Sequence, residues 1–526
     1  MRRFPASILL AALPFVLTAQ PSLSQAPAPA KPKLILAIVI DQFRYDYLLK
    51  YRASYTAGLK RLLNDGAFFE NAHYPHALTV TAIGHSTFLS GATPNISGII
   101  GNDWFDRETN QSVTSVFDPA TKVVGGVPGA PGSSPRRLLV STLGDEIRMS
   151  GLKNKVIGIS IKDRSAILPV GHMADAAYWF EGDSNHWVTS DYYMPALPKW
   201  VEEINDSQPH LKSIGAEWLP LNAKPGEKPF CSMVAGLEGT RYCGSLEASP
   251  WGNEMIEAMA EKALVAEQMG SHEGTDILAV SYSSNDYVGH ARGPDSPEAR
   301  DISLRTDLLL GKLFDLADKQ VGRGNYVVVL TADHGVSPVP EVNSKRKMPG
   351  GRLAPEKLAA TLQDTLQKKY GPGKWVIGTS GSTPYFNSEL IRKYRLTEAD
   401  VESTAAEAVR AMPHLFRVYT ADQIKNGKMQ ADSISAAVTA NFYAGRSGNL
   451  IILPENYYLY DATGTSHGTP FNYDTHVPVI FMGSGLKKGH YYERIMPNDI
   501  APTLAAIVGV QEPSGSVGRV LQEMWQ

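Results

Sequence analysis

The stretch Tyr326 to Gly335, reading Tyr-Val-Val-Val-Leu-Thr-Ala-Asp-His-Gly, narrows the possible folds more than any other part of the chain. Its β-branched run is too short for an ordinary helix and reads as a buried strand. The run ends in Asp333-His334, adjacent side chains that both bind hard or borderline cations. A carboxylate and an imidazole at the carboxyl end of a central strand lie where open α/β sheets take their ligands. Three further strand-like runs also end in ligand-type or phosphate-type residues.

The rest of the chain alternates in the same way. Leu34 to Ile40 is a continuous apolar strand followed by Asp41, and Arg44 to Asn64 reads as the helix after it. Thr81 opens a short predicted helix that ends at Gly91. Pro119 to Pro135, rich in Gly and Pro, reads as an irregular surface loop. Leu139–Met149 is a predicted helix, and Lys155–Ile161 a strand ending at Lys162-Asp-Arg164. Predicted helices Glu254–Met269 and Pro297–Leu316 flank the strand Ile277–Ser283. Leu450–Leu453 and Val477–Met482 return to strand, and Ile500–Val508 is a closing helix. This alternation predicts an α/β fold, a doubly wound and mostly parallel central sheet flanked by helices. One catalytic domain spans 34–526, with insertions at about 175–250 and 340–445 near the active-site edge. The second carries helices near Glu356–Lys369 and Glu398–Ala411.

The N-terminus reads separately. Arg2-Arg3, an apolar run from Ile8 to Val16, and Ser24 and Ala26 placed like a cleavage site describe a secretory signal over 1–26. An uncleaved anchor is the alternative. Residues 27–33, rich in Pro and Ala, read as a linker. Loss of Arg2 and Arg3, with no acid, moves the formal charge from −3 to −5. A mildly acidic chain without basic clusters argues against nucleic acid as an obligate partner, and no later stretch is apolar enough to span a bilayer. The expected location is periplasmic or secreted, free of the membrane once the signal is removed. There Cys231 and Cys243, the only cysteines, most simply form one disulfide.

Six candidates carry the chemistry: Asp41, Asp286, His290, Asp333, His334 and His467. Asp286 and His290 are four apart on a helical turn and point the same way. Six N/O ligands make two three-ligand sites with open positions, the pattern of a binuclear catalytic centre. Singly, each has a bland reading as a turn former, cap or structural pair. A metal pair favours phosphoryl or sulfuryl transfer, because it can clamp both the attacking and the leaving oxygen. Thr81, a hydroxyl at a helix start, suits the nucleophile, with Thr79 and Thr87 as neighbouring rivals. Asn102 can supply an amide to the transferred group. Lys162 and Arg164, two apart at a strand end, are read as projecting to one side and suiting a doubly charged phosphate monoester.

At these residues the chain resembles the alkaline phosphatase superfamily, most closely its periplasmic threonine-nucleophile branch, the PafA-type enzymes. The matching segments are Val39-Ile-Asp41, Thr81-Ala-Ile-Gly-His85, Gly101-Asn-Asp-Trp104, Ile161-Lys-Asp-Arg164, Asp286-Tyr-Val-Gly-His290, Thr331-Ala-Asp-His-Gly335 and Ser466-His-Gly-Thr469. The resemblance implies two zinc ions, one held by Asp286, His290 and His467, the other by Asp41, Asp333 and His334 and completed by Thr81. It implies a covalent phosphothreonine intermediate, hydrolysed with overall retention at phosphorus. Asn102, Lys162 and Arg164 would bind phosphate, and the substrates would be small phosphorylated molecules. The sulfatase signature Cys/Ser-x-Pro-x-Arg is missing, and no candidate for a separate magnesium site stands out. The related nucleotide pyrophosphatase/phosphodiesterases share the threonine and the metal ligands but lack the Lys-x-Arg pair. A phosphodiesterase of that kind is the alternative enzyme. A non-catalytic, metal-stabilised periplasmic binding protein is the alternative from another class.

Overall fold

The computed structural model describes residues 31–236 and 240–525. The predicted signal over 1–26 and the first residues of the predicted linker lie outside them. Among the described residues the dominant element is an 11-stranded mixed sheet. In chain order its strands are β1 (Leu34–Ile40), β2 (Ala67–His73), β3 (Phe117–Val124), β4 (Pro131–Ser133), β5 (Val156–Ser160), β6 (Ala176–Glu181), β7 (His186–Ser190), β8 (Asp276–Tyr282), β9 (Tyr326–Thr331), β10 (His476–Gly483) and β11 (Gly489–Tyr491). They lie in the order β11-β2-β10-β9-β1-β8-β5-β6-β7-β3-β4. The five strands from β9 to β6 run parallel, and β10 and β7 bound them antiparallel.

Every residue of β1, β8 and β9 is buried. Such strands are covered on both faces, which is why their sequences are unbroken apolar runs. Alternate β1 residues feed two cores. Leu34, Leu36, Ile38 and Ile40 meet Leu310, Leu313 and Phe314 on one face. Ile35, Ala37 and Val39 meet Ala82, Phe88 and Leu504 on the other. The register is unshifted, with Val39 beside both Ser281 and Thr331. The carboxyl ends of the central strands therefore finish level, and the residues that follow them share one edge.

The expected helix Arg44–Asn64 is broken into α1 (Tyr45–Lys50), a short 3-10 turn and α2 (Gly58–Asp65). The cause lies far away in sequence. The buried Asp307 carboxylate accepts from the backbone N–H groups of Thr56, Ala57, Leu59 and Lys60, at 2.7, 3.0, 2.7 and 3.3 Å. It thereby caps α2 from a neighbouring helix. Asp307→Ala strands these donors and is expected to lower stability by about 3 kcal/mol in denaturant unfolding, with Asp307→Asn losing less. An unchanged midpoint in Asp307→Ala would remove Asp307 from this role.

Other expectations are corrected. Pro119 to Pro135 is no irregular loop: it forms most of β3 and β4 at the sheet edge, joined by residues 125–130. The helix expected from Leu139 begins at Leu143, where Thr142 and Asp145 form a reciprocal capping box. Residues 176–190 belong to the sheet as β6 and β7. The strand Leu450–Pro454 pairs with Leu415–Thr420, outside the central sheet. It helps build a separate core with Leu362, Trp375, Val401 and Val409. The disulfide Cys231–Cys243 is formed, with 5.0 Å between Cα atoms. It packs with Trp218 and Ile302 against Val288. Among the described residues no helix is long and apolar enough to cross a membrane.

Candidate active site

Four strand ends and two loops meet at the carboxyl edge. Asp41 follows β1, Lys162 follows β5, and Asp333-His334 follow β9. The segment after β8 turns into α4 (Ser284–Arg292), which carries Asp286 and His290 one turn apart; Thr81 is the first residue of α3 (Thr81–Ser90). His467 comes from the loop before β10, its Nδ1 2.7 Å from the Thr79 carbonyl. Gly84 lets α3 approach, since a Cβ there would overlap the Asp333 backbone.

Lys162 Nζ donates to Asp41 Oδ2 at 2.6 Å and to Asp286 Oδ2 at 2.7 Å. His290 Nε2 lies 3.2 Å from Asp286 Oδ1, and His467 Nε2 lies 3.6 Å from the same oxygen. His334 Nε2 stands 3.3 Å from Asp333 Oδ2 and 3.6 Å from Asp41 Oδ1. Its ring stacks on His467 at 3.5 Å between centroids. Second nitrogens are anchored: His290 Nδ1 is 2.7 Å from the Thr465 carbonyl, and His334 Nδ1 is 2.9 Å from that of Gly335. Such anchoring fixes the tautomer and aims Nε2 inward.

Two buried carboxylates, Asp41 and Asp286, thus share one ammonium, with the third, Asp333, beside them. Burial pushes the Asp41 carboxyl well above the usual range, and the Asp333 charge pushes it the same way. Burial opposes charge on Asp286 as well, but Lys162 and His290 hold it well below its ordinary value. Asp333 is likewise held down against burial by His334 and His85. Burial disfavours charge on His290, yet the Asp286 carboxylate pushes that ring up to about 9. Burial pushes His334 down to about 3.

Donor chemistry and geometry fit cations. Asp286, His290 and His467 bring ligand atoms within 4.8 Å of one another, and so do Asp41, Asp286 and His334. Asp41 Oδ1, Asp333 Oδ2 and His334 Nε2 are buried with no hydrogen-bond partner among the described residues. Unpartnered buried acceptors of this kind are what a cation satisfies. Asp286 belongs to both groups, whereas the sequence reading gave it to one.

Around the nucleophile candidate, Asn102 Oδ1 accepts from Ala82 N–H at 2.8 Å, which seats its amide at the start of α3. The Thr81 side chain is buried and makes no hydrogen bond among the described residues. His85 Nδ1 lies 2.8 Å from the Thr81 carbonyl and 3.4 Å from Asp333 Oδ2, joining helix to strand end. The strand-end reading of Lys162 and Arg164 is corrected. Lys162 precedes the short helix Asp163–Ile167, and Arg164 lies in its first turn. Lys162 enters the carboxylate cluster, whereas Arg164 stays partly exposed and bonds none of the three carboxylates.

Sequence reasoning missed Gln42. Held at a positive φ of 58°, it receives no signal from composition or spacing. Its backbone N–H donates to Asp333 Oδ1 at 3.0 Å and its Nε2 to Asp286 Oδ1 at 2.6 Å, tying two cluster carboxylates together. It fits because Gly289 has no side chain, as a Cβ there would overlap Gln42 Oε1.

The family model for type I phosphodiesterase / nucleotide pyrophosphatase matches residues 35–476. The alkaline phosphatase PafA of Elizabethkingia meningoseptica is 34% identical over 523 residues, covering 94% of this chain and 95% of that protein. The alkaline phosphatase PhoV of Synechococcus elongatus is 36% identical over 518 residues, covering 94% and 93%. The crystal structure of wild-type PafA superposes with a TM-score of 0.88 at 33% identity, covering 95% of this chain and 100% of that one.

Proposed function

We propose that this chain, which belongs to the type I phosphodiesterase / nucleotide pyrophosphatase family, hydrolyses phosphate monoesters through phosphoryl transfer to Thr81 at a centre of two zinc ions. It is an enzyme of the alkaline phosphatase kind, as relatives alike over almost their whole length indicate. The observation that supports the finer reading is that Asp41 Oδ1, Asp333 Oδ2 and His334 Nε2 are buried without a hydrogen-bond partner among the described residues, with the Thr81 helix packed on Asp333 through Gly84.

In this reading Asp286, His290 and His467 would hold one ion, and Asp41, Asp333 and His334, completed by Thr81, the other, with Asp286 also within reach of the second through its place beside Asp41 and His334. Bound there, such ions would supply charge stabilisation to the attacking and leaving oxygens. Thr81 Oγ attacks phosphorus as the bond to the ester oxygen breaks, and the alcohol leaves with a proton. Water then displaces Thr81 from the phosphothreonine, releasing phosphate. Two in-line displacements give retention at phosphorus. The amino end of α3 offers N–H groups and a positive dipole to the non-bridging oxygens. The Asn102 amide sits beside them. With cations on Asp41 and Asp286, the Lys162 ammonium is no longer their sole counter-charge and is available to the substrate. Arg164 adds a fork at the outer side of the site.

A monoester carries one more negative charge than a diester, so Lys162 and Arg164 favour the monoester. Rates with p-nitrophenyl phosphate and its bis ester test this. The native enzyme is expected to prefer the monoester, and Arg164→Ala to lower monoester kcat/KM by about 10- to 100-fold, with a smaller loss on the diester. A strong native preference for the diester would favour the phosphodiesterase that the family description names. A metal-loaded protein that hydrolyses neither would be the binding protein.

The same proposal makes 34–526 one catalytic domain whose excursions shape the mouth of the site. It places the protein in the periplasm or outside the cell, acting on small phosphorylated substrates. A disulfide belongs in such an oxidising compartment.

A further inference from the structure

A cavity of 230 Å³ lies against His467 and the segment that enters α3. One wall is Leu78, Val80 and Ile100, and Val80 immediately precedes Thr81. Tyr385, Leu453 and Tyr458 also line it, Tyr385 from the core that holds Phe105 and Leu453 from a smaller cluster with Tyr419 and Val438. Among the described residues no lysine or arginine lines it, and the one carboxylate there, Asp461, is exposed. The cations of the site, Lys162 and Arg164, lie elsewhere, Lys162 on Asp41 and Asp286. A second phosphate or other anion would find no counter-charge in this cavity and a carboxylate at its edge. An uncharged aromatic group would find apolar side chains and tyrosine rings, on which it gains by area and by ring contact.

We infer that this cavity is the subsite for the alcohol portion of the ester, and that it takes a neutral, apolar, preferably aromatic group. The inference rests on the phosphatase reading above and adds the side of the substrate that the phosphate-binding set does not touch. Ring burial in the subsite before and during transfer makes aryl esters better substrates than small polar ones at equal phosphate contacts.

The test uses the full-length enzyme and the ratio of kcat/KM for 2-naphthyl phosphate to that for methyl phosphate. Ser382 sits in the turn over the cavity with its hydroxyl on the Ile452 carbonyl, so Ser382→Phe fills the space. Tyr458→Ala removes part of the aromatic wall. Each is expected to lower the ratio about tenfold, the scale of losing a methylene-sized apolar contact in a substrate pocket. Using a ratio within each variant cancels differences in folding or metal loading, and a misfolded Ser382→Phe leaves Tyr458→Ala to decide. An unchanged ratio in a folded variant overturns the subsite. If the native protein hydrolyses no monoester, the phosphatase reading fails and the cavity is judged by titrating 2-naphthol fluorescence. Saturable binding weakened by Ser382→Phe then supports the subsite, and absence of saturable binding overturns it.

Discussion

Thr81→Ala is expected to fold, to keep its metal, and to lose on the order of 10⁴-fold or more in kcat, the scale seen when a covalent nucleophile is removed. The side chain is small and lies at the start of α3, where the helix has no side-chain cap bond to lose. Stability should therefore change little, so lost turnover would report chemistry rather than unfolding. Native enzyme quenched during turnover should carry phosphate on Thr81, readable by mass spectrometry, and the variant should carry none. Near-normal turnover in Thr81→Ala would transfer the role to another group, with the flanking Thr79 the first to test. The Thr79 hydroxyl is already engaged on the Thr469 carbonyl at 2.9 Å, which makes it a poor attacker.

Asp286→Ala is expected to remove metal from both halves of the centre and to cost about 10³-fold or more in kcat/KM, roughly 4 kcal/mol of barrier. Asp286 offers atoms to both donor groups, accepts from Lys162 and Gln42, and lies beside His290 and His467. Deleting it also frees a buried ammonium from one of its two carboxylates. Metal analysis of the purified variant distinguishes a shared ligand from a one-sided one. Loss of about half the bound metal with the remainder held tightly would return Asp286 to a single ion.

The central strands were legible from the residues alone because burial on both faces leaves no polar position to blur the run. Leu34–Ile40, Tyr326–Thr331 and the helix Ile500–Val508 appear with the boundaries their sequences give. The edge was not legible for the opposite reason. Residues of β3 alternate irregularly between buried and exposed, and Pro119 is tolerated where the pairing shifts register. The break between α1 and α2 depends on Asp307, some 250 residues away, and no local periodicity contains it. At the site, charged residues after apolar strands are visible in a sequence. That Asp286 reaches both groups, or that Gln42 ties Asp286 to Asp333, depends on how α4 leans against the turn after β1. Likewise Lys162-Asp-Arg164 continues the strand on paper, but the chain turns into a helix at Lys162 and sends the two cations different ways.

The cation-binding atoms are drawn from positions as far apart as Asp41 and His467. Short segments of an unfolded chain therefore hold no preassembled site, and metal uptake has to wait for the whole sheet to close. On the export proposed above, a chain that crosses the membrane before it folds takes the ion supplied at its destination, not where it is made. Imidazole–carboxylate cages discriminate weakly among first-row divalent ions. The growth medium should thus govern the composition of the mature enzyme more than its sequence does.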